Sequence, residues 1–225
     1  MIRSLNTNGY YLIKSCFDHQ QVSQLLNATL GLAYDNPAYG VRNLLQQIPI
    51  LKQYVNSTAV RELIEPIFGK PTLAVRSIYF DKVPQANWNV AWHQDTTIAV
   101  REKVDMPGFG PWSAKSGVVH VEPPVEILKN ILTMRIHLDE TDEDNGALRV
   151  LPGSHQHGRI ASREIIKIVE NETPVTCAAK PGDVLLMRPL LLHSSRKSRH
   201  PRHRRIIHIE FSSVTLPSPL QWHEA

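Results

Sequence analysis

Residues 131–152 read ILTMRIHLDETDEDNGALRVLP, two apolar runs on either side of an acidic turn. Ile131–Asp139 and Ala147–Pro152 are rich in aliphatic residues and read as strands, and Asp144-Asn145-Gly146 between them is a strong turn signal. The same character extends both ways along the chain. Thr72–Lys82, Val90–Asp95, Thr173–Ala179, Asp183–Arg188 and Arg205–Ser212 are further candidate strands, with Pro181-Gly182-Asp183 as another turn. No long helix separates them, so a parallel βαβ winding is disfavoured. A β-sandwich or barrel with helices on its outer face fits better.

The helices belong to the first third of the chain. Gly9-Tyr10-Tyr11-Leu12-Ile13-Lys14 is strand-like, and Asp18 is placed to cap a helix over Gln20–Leu30, where Val22, Leu25, Leu26 and Leu30 recur at helical spacing. A second helix fits Ala59–Phe68, with Val60, Leu63, Ile64 and Ile67 on one side and Gly69 as its stop. Val100–Lys129 resists assignment, because Pro107, Pro111, Pro123 and Pro124 are interspersed with Gly108, Gly110 and Gly117. So long a loop in a compact domain is usually a lid or disordered, and a lid over 100–129 is the expectation.

Composition bounds the function classes. At 225 residues, 42% hydrophobic and 20% charged, the chain suits a single globular domain over 1–225, with the helices of 15–70 packed on a β core. No apolar run approaches the ~20 residues of a membrane span, and the N-terminus carries no apolar signal core, so a cytoplasmic protein with no membrane partner is expected. Cys16 and Cys177 lie far apart without ligand spacing and read as two reduced thiols. Much of the net charge of +4 falls in residues 196–205. Such a run can contact nucleic acid, but a solvated loop is the commoner outcome, and neither aromatic interleaving nor a recognition helix accompanies it.

Chemistry concentrates at Trp92-His93-Gln94-Asp95. Residues i and i+2 of a strand share a face, so His93 and Asp95 project together while Trp92 and Gln94 point away. One further histidine from another strand would complete the two-histidine, one-carboxylate set of non-haem iron(II) oxygenases, which leaves positions open for a co-substrate and dioxygen. His193, emerging after the apolar run Val184–Leu192, is the best candidate. His137, His155, His157 and His208 are rivals, each more simply read as a hydrogen-bonded structural histidine. Spacing alone leaves the choice open.

Four stretches in this order and spacing resemble the phytanoyl-CoA dioxygenase family of Fe(II)/2-oxoglutarate oxygenases. They are Trp92–Asp95; Arg135–Asp139 running through Asp144-Asn145-Gly146 to Leu151-Pro152-Gly153-Ser154-His155; Lys180-Pro181-Gly182-Asp183 leading to His193; and Arg204 before the final strand. The opening Gly9–Ile13 and its following helix also look like the family, so the resemblance covers nearly the whole chain. It implies a mainly β fold with flanking α-helices, a double-stranded β-helix of the jelly-roll or cupin-like barrel type. It also implies iron held by His93, Asp95 and His193, with 2-oxoglutarate and O2 as co-substrates and ascorbate as an assay stimulant. Arg204, eleven residues after His193, takes the place of the arginine that pairs with the distal carboxylate of 2-oxoglutarate, and Ser195 matches an assisting hydroxyl. The physical logic agrees, because a buried carboxylate needs a partner and a planar guanidinium suits it. Arg204 and Arg205 face opposite ways, so only one can serve.

The reaction implied is hydroxylation of a small molecule with release of succinate and CO2. Related halogenases lack the carboxylate that Asp95 supplies here. Arg135, on a strand entering the barrel, is a candidate contact to substrate or co-substrate, with a structural ion pair as the other reading. Trp112, Lys115 and His120 in the expected lid are candidate substrate contacts, against the simpler reading of solvated loop residues. His155 and Asn145-Gly146 read as turn residues without chemistry. The alternatives are a cupin-like metal-dependent isomerase or hydrolase that does not use 2-oxoglutarate, and a basic nucleic-acid-binding module over residues 196–205. Substrate identity and oligomeric state are not legible.

Overall fold

The computed structural model describes residues 1–32, 40–83, 87–200 and 202–225. Among these, the strands in chain order are β1 (Tyr10–Ile13), β2 (Val41–Arg42), β3 (Leu73–Asp81), β4 (Val90–His93), β5 (Ile98–Val100), β6 (Trp112–Lys115), β7 (Val118–Val121), β8 (Ile131–His137), β9 (Leu148–Val150), β10 (Val175–Cys177), β11 (Val184–Met187), β12 (His193–Ser195) and β13 (Arg205–Ser212). They form a six-stranded sheet in the order β1-β11-β8-β13-β3-β2, a four-stranded sheet β10-β9-β12-β4, and a three-stranded sheet β5-β7-β6. Every pairing is antiparallel. The two larger sheets face each other as a jelly roll, and their hydrogen bonding does not run on into one closed barrel.

Strand alternation explains how the layers stack. On the outer face of the large sheet, Leu132, Met134 and Ile136 of β8, Val184 and Leu186 of β11, and Ile207 and Ile209 of β13 form one core with Leu25, Leu51 and Ile64 from the helices. Each such side chain, fully buried, contributes about 1.5–3 kcal/mol. On the inner face, Leu185 and Met187 meet Leu148, Val150 and Cys177 of the smaller sheet. All seven residues of β8 are buried for this reason: helices cover one face and a sheet the other.

Helices α1 (Ile2–Thr7), α2 (His19–Thr29), α3 (Leu44–Gln47), α4 (Pro49–Val55), α5 (Thr58–Phe68), α6 (Val125–Lys129) and α7 (Ser162–Asn171), with a short 3-10 turn over Ser154–His157, complete the described elements. At the start of α2 the Asp18 carboxylate accepts from the Gln21 backbone, and the Gln21 side chain accepts from the Asp18 backbone, a reciprocal cap. Gly69, with φ +69°, stops α5. No described helix is long and apolar enough to cross a membrane. Both cysteines are free.

Residues 100–129 depart from the expected structureless loop. They carry β6, β7 and α6, and Ile98, Val100, Val121 and Leu128 build a second core with Leu190, Leu216 and Trp222. The prolines sit in the connections, where each interrupts a pattern too short to read alone. Helices α1, α3, α4 and α7 likewise stand in segments that the sequence reading left unassigned.

The turn before β11 illustrates how tightly the ends of the sheet are tied. Gly182 has φ +86°, and a β-carbon there would collide with the Phe17 carbonyl. The Asp183 carboxylate next to it accepts from the Lys180 and Ser15 backbone nitrogens and from Lys14 Nζ, all at 2.9 Å. Gly182→Ala should therefore lower unfolding free energy by at least about 2 kcal/mol. A urea titration should show this as a lower midpoint at unchanged slope.

Candidate metal centre

Strand β4 ends at His93 and β12 begins at His193, and the two residues are direct ladder partners. Their ring centroids are 4.2 Å apart. His93 Nδ1 lies 2.8 Å from the Ala91 carbonyl and His193 Nδ1 lies 2.9 Å from the Leu191 carbonyl. A ring nitrogen facing a carbonyl oxygen must carry the proton, so on both rings Nε2 is left with its lone pair free for a cation. Asp95 completes the set, with Oδ1 3.9 Å from His93 Nε2 and Oδ2 3.6 Å from His193 Nε2. The three ligand atoms lie within 4.8 Å of one another, a grouping that could hold a metal ion.

Asp95 stands just past the end of β4, held by its own backbone and by the side chain of Gln94. Its backbone nitrogen donates to the Pro189 carbonyl at 2.9 Å. The buried Gln94 side chain, on the opposite face, donates to the Leu190 carbonyl at 2.6 Å and to the Gly158 carbonyl at 2.8 Å. The bonds to Pro189 and Leu190 reach the segment that leads into His193, so they tie the two ligand-bearing segments together. Burial pushes the His193 imidazolium pKa down to about 3, with the neighbouring His93 adding to the effect. Burial would raise the Asp95 pKa, but His193 and His93 outweigh it and hold the carboxyl below the usual range. At neutral pH the pair is therefore a neutral imidazole and a carboxylate, the forms that bind metals.

The cavity in front of the triad measures about 100 Å³ and is lined by Ile78, Phe80, Trp88, Val90 and Leu148 together with Arg76, Arg135, Arg204 and His208. His93 is 39% exposed at its side chain and His193 6%, so the mouth lies on the His93 side.

Arg204 lies deep in this cavity. Its Nη1 donates to the Gly146 carbonyl and to Ser195 Oγ, while Nε has no partner. Ser195 Oγ donates in turn to the Gly146 carbonyl at 2.9 Å and accepts from Lys82 Nζ at 2.9 Å. Lys82 is fully buried, also donates to the Arg196 carbonyl, and stands 5.5 Å from the Trp88 ring. Burial, reinforced by Arg204 and Arg135, lowers the Lys82 pKa to about 7. Burial and Arg135 lower that of Arg204 to about 9. Two adjacent buried cations share a hydroxyl, and neither forms an ion pair among the described residues. Arg205 faces the other way and is held by Asp139 through two bonds of 2.8 and 2.7 Å.

A polar chain continues along the inner face. Arg135 Nη1 lies 3.1 Å from His208 Nδ1, His208 Nε2 lies 3.3 Å from Glu210 Oε1, and Glu210 Oε1 accepts from Arg76 Nη1 at 3.0 Å. Both nitrogens of His208 are thus engaged, which removes it as a rival ligand. His137 meets Thr141 through Nδ1 and His155 meets the Asn6 carbonyl through Nε2; the other nitrogen of each is unpartnered, but neither belongs to a grouping of ligand atoms that could hold a metal among the described residues. His157 is exposed on the turn over Ser154–His157.

Trp112, Lys115 and His120 sit on the three-stranded sheet and are not among the cavity-lining residues. Trp112 packs on the second core, Lys115 is exposed, and His120 is buried with Nε2 3.4 Å from Arg42 Nη1. Of the candidate substrate contacts only Arg135 lines the cavity.

A family model described as phytanoyl-CoA dioxygenase (PhyH) matches residues 5–206. The chain belongs to this family. The mouse phytanoyl-CoA dioxygenase domain-containing protein 1 is 23% identical over 192 residues, 77% of this chain and 57% of that protein. A probable alpha-ketoglutarate-dependent hypophosphite dioxygenase of Stutzerimonas stutzeri is 24% identical over 169 residues, 66% of this chain and 50% of its own length. The chain thus spans about half the length of these relatives. Among solved structures, EctD from S. alaskensis with 2-oxoglutarate and 5-hydroxyectoine superposes with a TM-score of 0.73 at 18% identity, covering 95% of this chain and 75% of that one. These likenesses bear out the jelly-roll expectation.

Sequence reading missed Lys82, Arg76, Phe80, Trp88 and the Gly146 carbonyl. Arg76, Ile78 and Phe80 alternate along one strand, so once one of them is known to face inward the others follow. Gly146 had no signal, because its contribution is a backbone oxygen. If the triad is the metal site, Asp95→Ala should weaken Co(II) binding about 100-fold or more in a spectroscopic titration. His155→Gln should leave that binding unchanged.

Proposed function

We propose that this chain is an Fe(II)- and 2-oxoglutarate-dependent oxygenase that hydroxylates a small molecule with release of succinate and CO2. The observation that carries the reading is the pairing of two features in one cavity: the His93, Asp95, His193 set, and the anion-hungry Arg204, which is backed by Ser195 and, through that hydroxyl, by Lys82. A five-carbon diacid presents one carboxylate to each. His93, Asp95 and His193 would hold the iron, and Arg204 with Ser195 would hold the distal carboxylate of the co-substrate. Iron and 2-oxoglutarate bound there supply an oxidant strong enough for an unactivated C–H bond.

The chain's own residues do the rest. Arg204 already spends one nitrogen on Gly146 and Ser195, which fixes the plane of the guanidinium before any ligand arrives. Lys82 adds a charge that burial has made easy to lose, so its protonation is coupled to what lies beside it. Phe80, Trp88 and Leu148 exclude water from the space in front of the triad. The names of the relatives agree with a small substrate, hypophosphite in one and 5-hydroxyectoine in the EctD structure.

The rivals leave features unexplained. A cupin-like isomerase or hydrolase has no use for two buried cations behind the metal. A nucleic-acid surface over residues 196–205 is partly neutralised in place, because Arg199 pairs with Asp144 at 3.1 Å and Arg202 with Asp142 at 3.1 Å.

Succinate release with Fe(II), 2-oxoglutarate and ascorbate tests the reading, and no turnover with or without candidate substrates would sink it. Arg204→Ala should raise the 2-oxoglutarate Kd about 100-fold, read anaerobically from the charge-transfer absorption of the Fe(II) complex. A pH series adds a sign. Below pH 7 Lys82 is already charged; above it, binding of the diacid must draw in a proton. Affinity should therefore weaken as pH rises from about 7 to about 9, by at most about tenfold per pH unit. Lys82→Met should flatten that slope.

A further inference from the structure

Arg135 is the one cavity-lining arginine whose charge the oxygenase reading leaves unmatched. Its side chain lines the cavity from β8, directly across the ladder from His208, and it is 7% exposed. One nitrogen meets the neutral side of His208, Nε has no partner, and the Phe80 ring lies 6.0 Å from the guanidinium carbon. Among the described residues no carboxylate pairs with it. A guanidinium keeps its proton at neutral pH even when buried, so an isolated one in such a place is costly unless something anionic meets it.

The charges around it can be assigned in turn. Arg76 is matched by Glu210 at 3.0 Å. With iron bound, the Asp95 carboxylate and one carboxylate of 2-oxoglutarate balance the dication, and the second carboxylate balances Arg204. Asp95 is the carboxylate that favours the charged form of Arg135, and it is then committed to the metal. Among the cavity-lining arginines, Arg135 is left over; Lys82 stays behind Arg204 with Ser195 and the Arg196 carbonyl as its partners. It stands four residues along β13 from Arg204, in register with His208, on the side toward Arg76 and the triad. Two arginines, one of them unmatched, therefore flank the part of the cavity that the co-substrate does not use.

We propose that the substrate carries a compact oxyanion, a carboxylate, phosphinate or phosphonate, and that Arg135 receives it, with Arg76 alongside. The inference rests on the oxygenase reading and deepens it. His208 orients the Arg135 fork, because its Nδ1 accepts from Nη1 while its Nε2 is turned to Glu210. The remaining guanidinium donors form a planar pair of the kind that suits an oxyanion, and Nε among them has no partner. Phe80 flanks the charge and keeps water from competing.

The test uses the full chain with Fe(II) and saturating 2-oxoglutarate under anaerobic conditions, so that binding is read apart from turnover. The probes are propionate, methylphosphonate and hypophosphite, with propionamide as the neutral control, followed by calorimetry and by perturbation of the charge-transfer band. At least one anion should bind, and propionamide should not. Arg135→Gln should weaken that anion about tenfold or more while changing the 2-oxoglutarate Kd less than about twofold. Arg135→Lys, which keeps the charge, should retain much of the anion binding and guards against a merely misfolded variant. The proposal is overturned if no anion outcompetes propionamide, or if Arg135→Gln weakens 2-oxoglutarate in place of the anion. If wild-type protein gives no charge-transfer band at all, the oxygenase reading itself fails, and that outcome is distinct from a band that forms without anion binding.

Discussion

The interior of this jelly roll is cationic, and the rest of the structure is arranged around that constraint. Lys82, Arg135 and Arg204 are buried between two sheets, in a position where a globular protein would ordinarily place leucine or valine. Buried charges without partners weigh against folding by several kcal/mol each. The compensation lies on the other face of the same strands, where helices cover an uninterrupted apolar layer from Leu132 to Ile209. One sheet thus does two jobs with alternate residues: on β8, Arg135 lines the cavity while Leu132, Met134 and Ile136 build the core behind it. The period of 2 along a strand is what lets adjacent residues live in such different surroundings.

That period is also why so much of the arrangement was legible. Arg204 and Arg205 differ by one place, and alternation assigns them opposite fates: a cavity arginine and an ion pair with Asp139. His93 and Asp95 were readable as a pair for the same reason, although Asp95 proves to lie beyond the ladder and is held by Pro189 rather than by a strand neighbour. His193 was harder. What distinguishes it from His208 is the identity of its hydrogen-bond partners, a carbonyl on one nitrogen and nothing on the other, and partners come from strands distant in sequence.

The illegible parts share a physical cause. Helices α3 and α4 together run only from Leu44 to Val55, too short for a periodic signal, and their stability comes from the sheet beneath them. Helix α7 did carry a readable stripe in Ile165, Ile168 and Val169, but nothing local shows that Leu151, Leu192 and Trp92 lie waiting under it. Residues 100–129 read as a loop because their prolines are visible in sequence and the core formed by Trp222 and Leu216 is not. In the site, Lys82 looked like the ordinary polar end of a strand. Its burial depends on the chain after Ser195 folding back to offer the Arg196 carbonyl.

These same dependencies couple stability to ligand binding. A site that holds positive charges apart from any matching anion is less stable empty than filled, so an anionic ligand adds its binding energy to folding. The apolar layers fix the fold whether or not the cavity is occupied. The polar chain from Arg135 through His208 and Glu210 to Arg76 keeps the inner surface in one arrangement in the meantime, since each member fixes the hydrogen-bonding role of the next. Replacing that chain with leucines would remove the desolvation cost of its charges and would leave nothing for a charged ligand to find. The cost of the buried cations is therefore best understood as a property of the site and not of the fold, which is carried by the other face of the same strands.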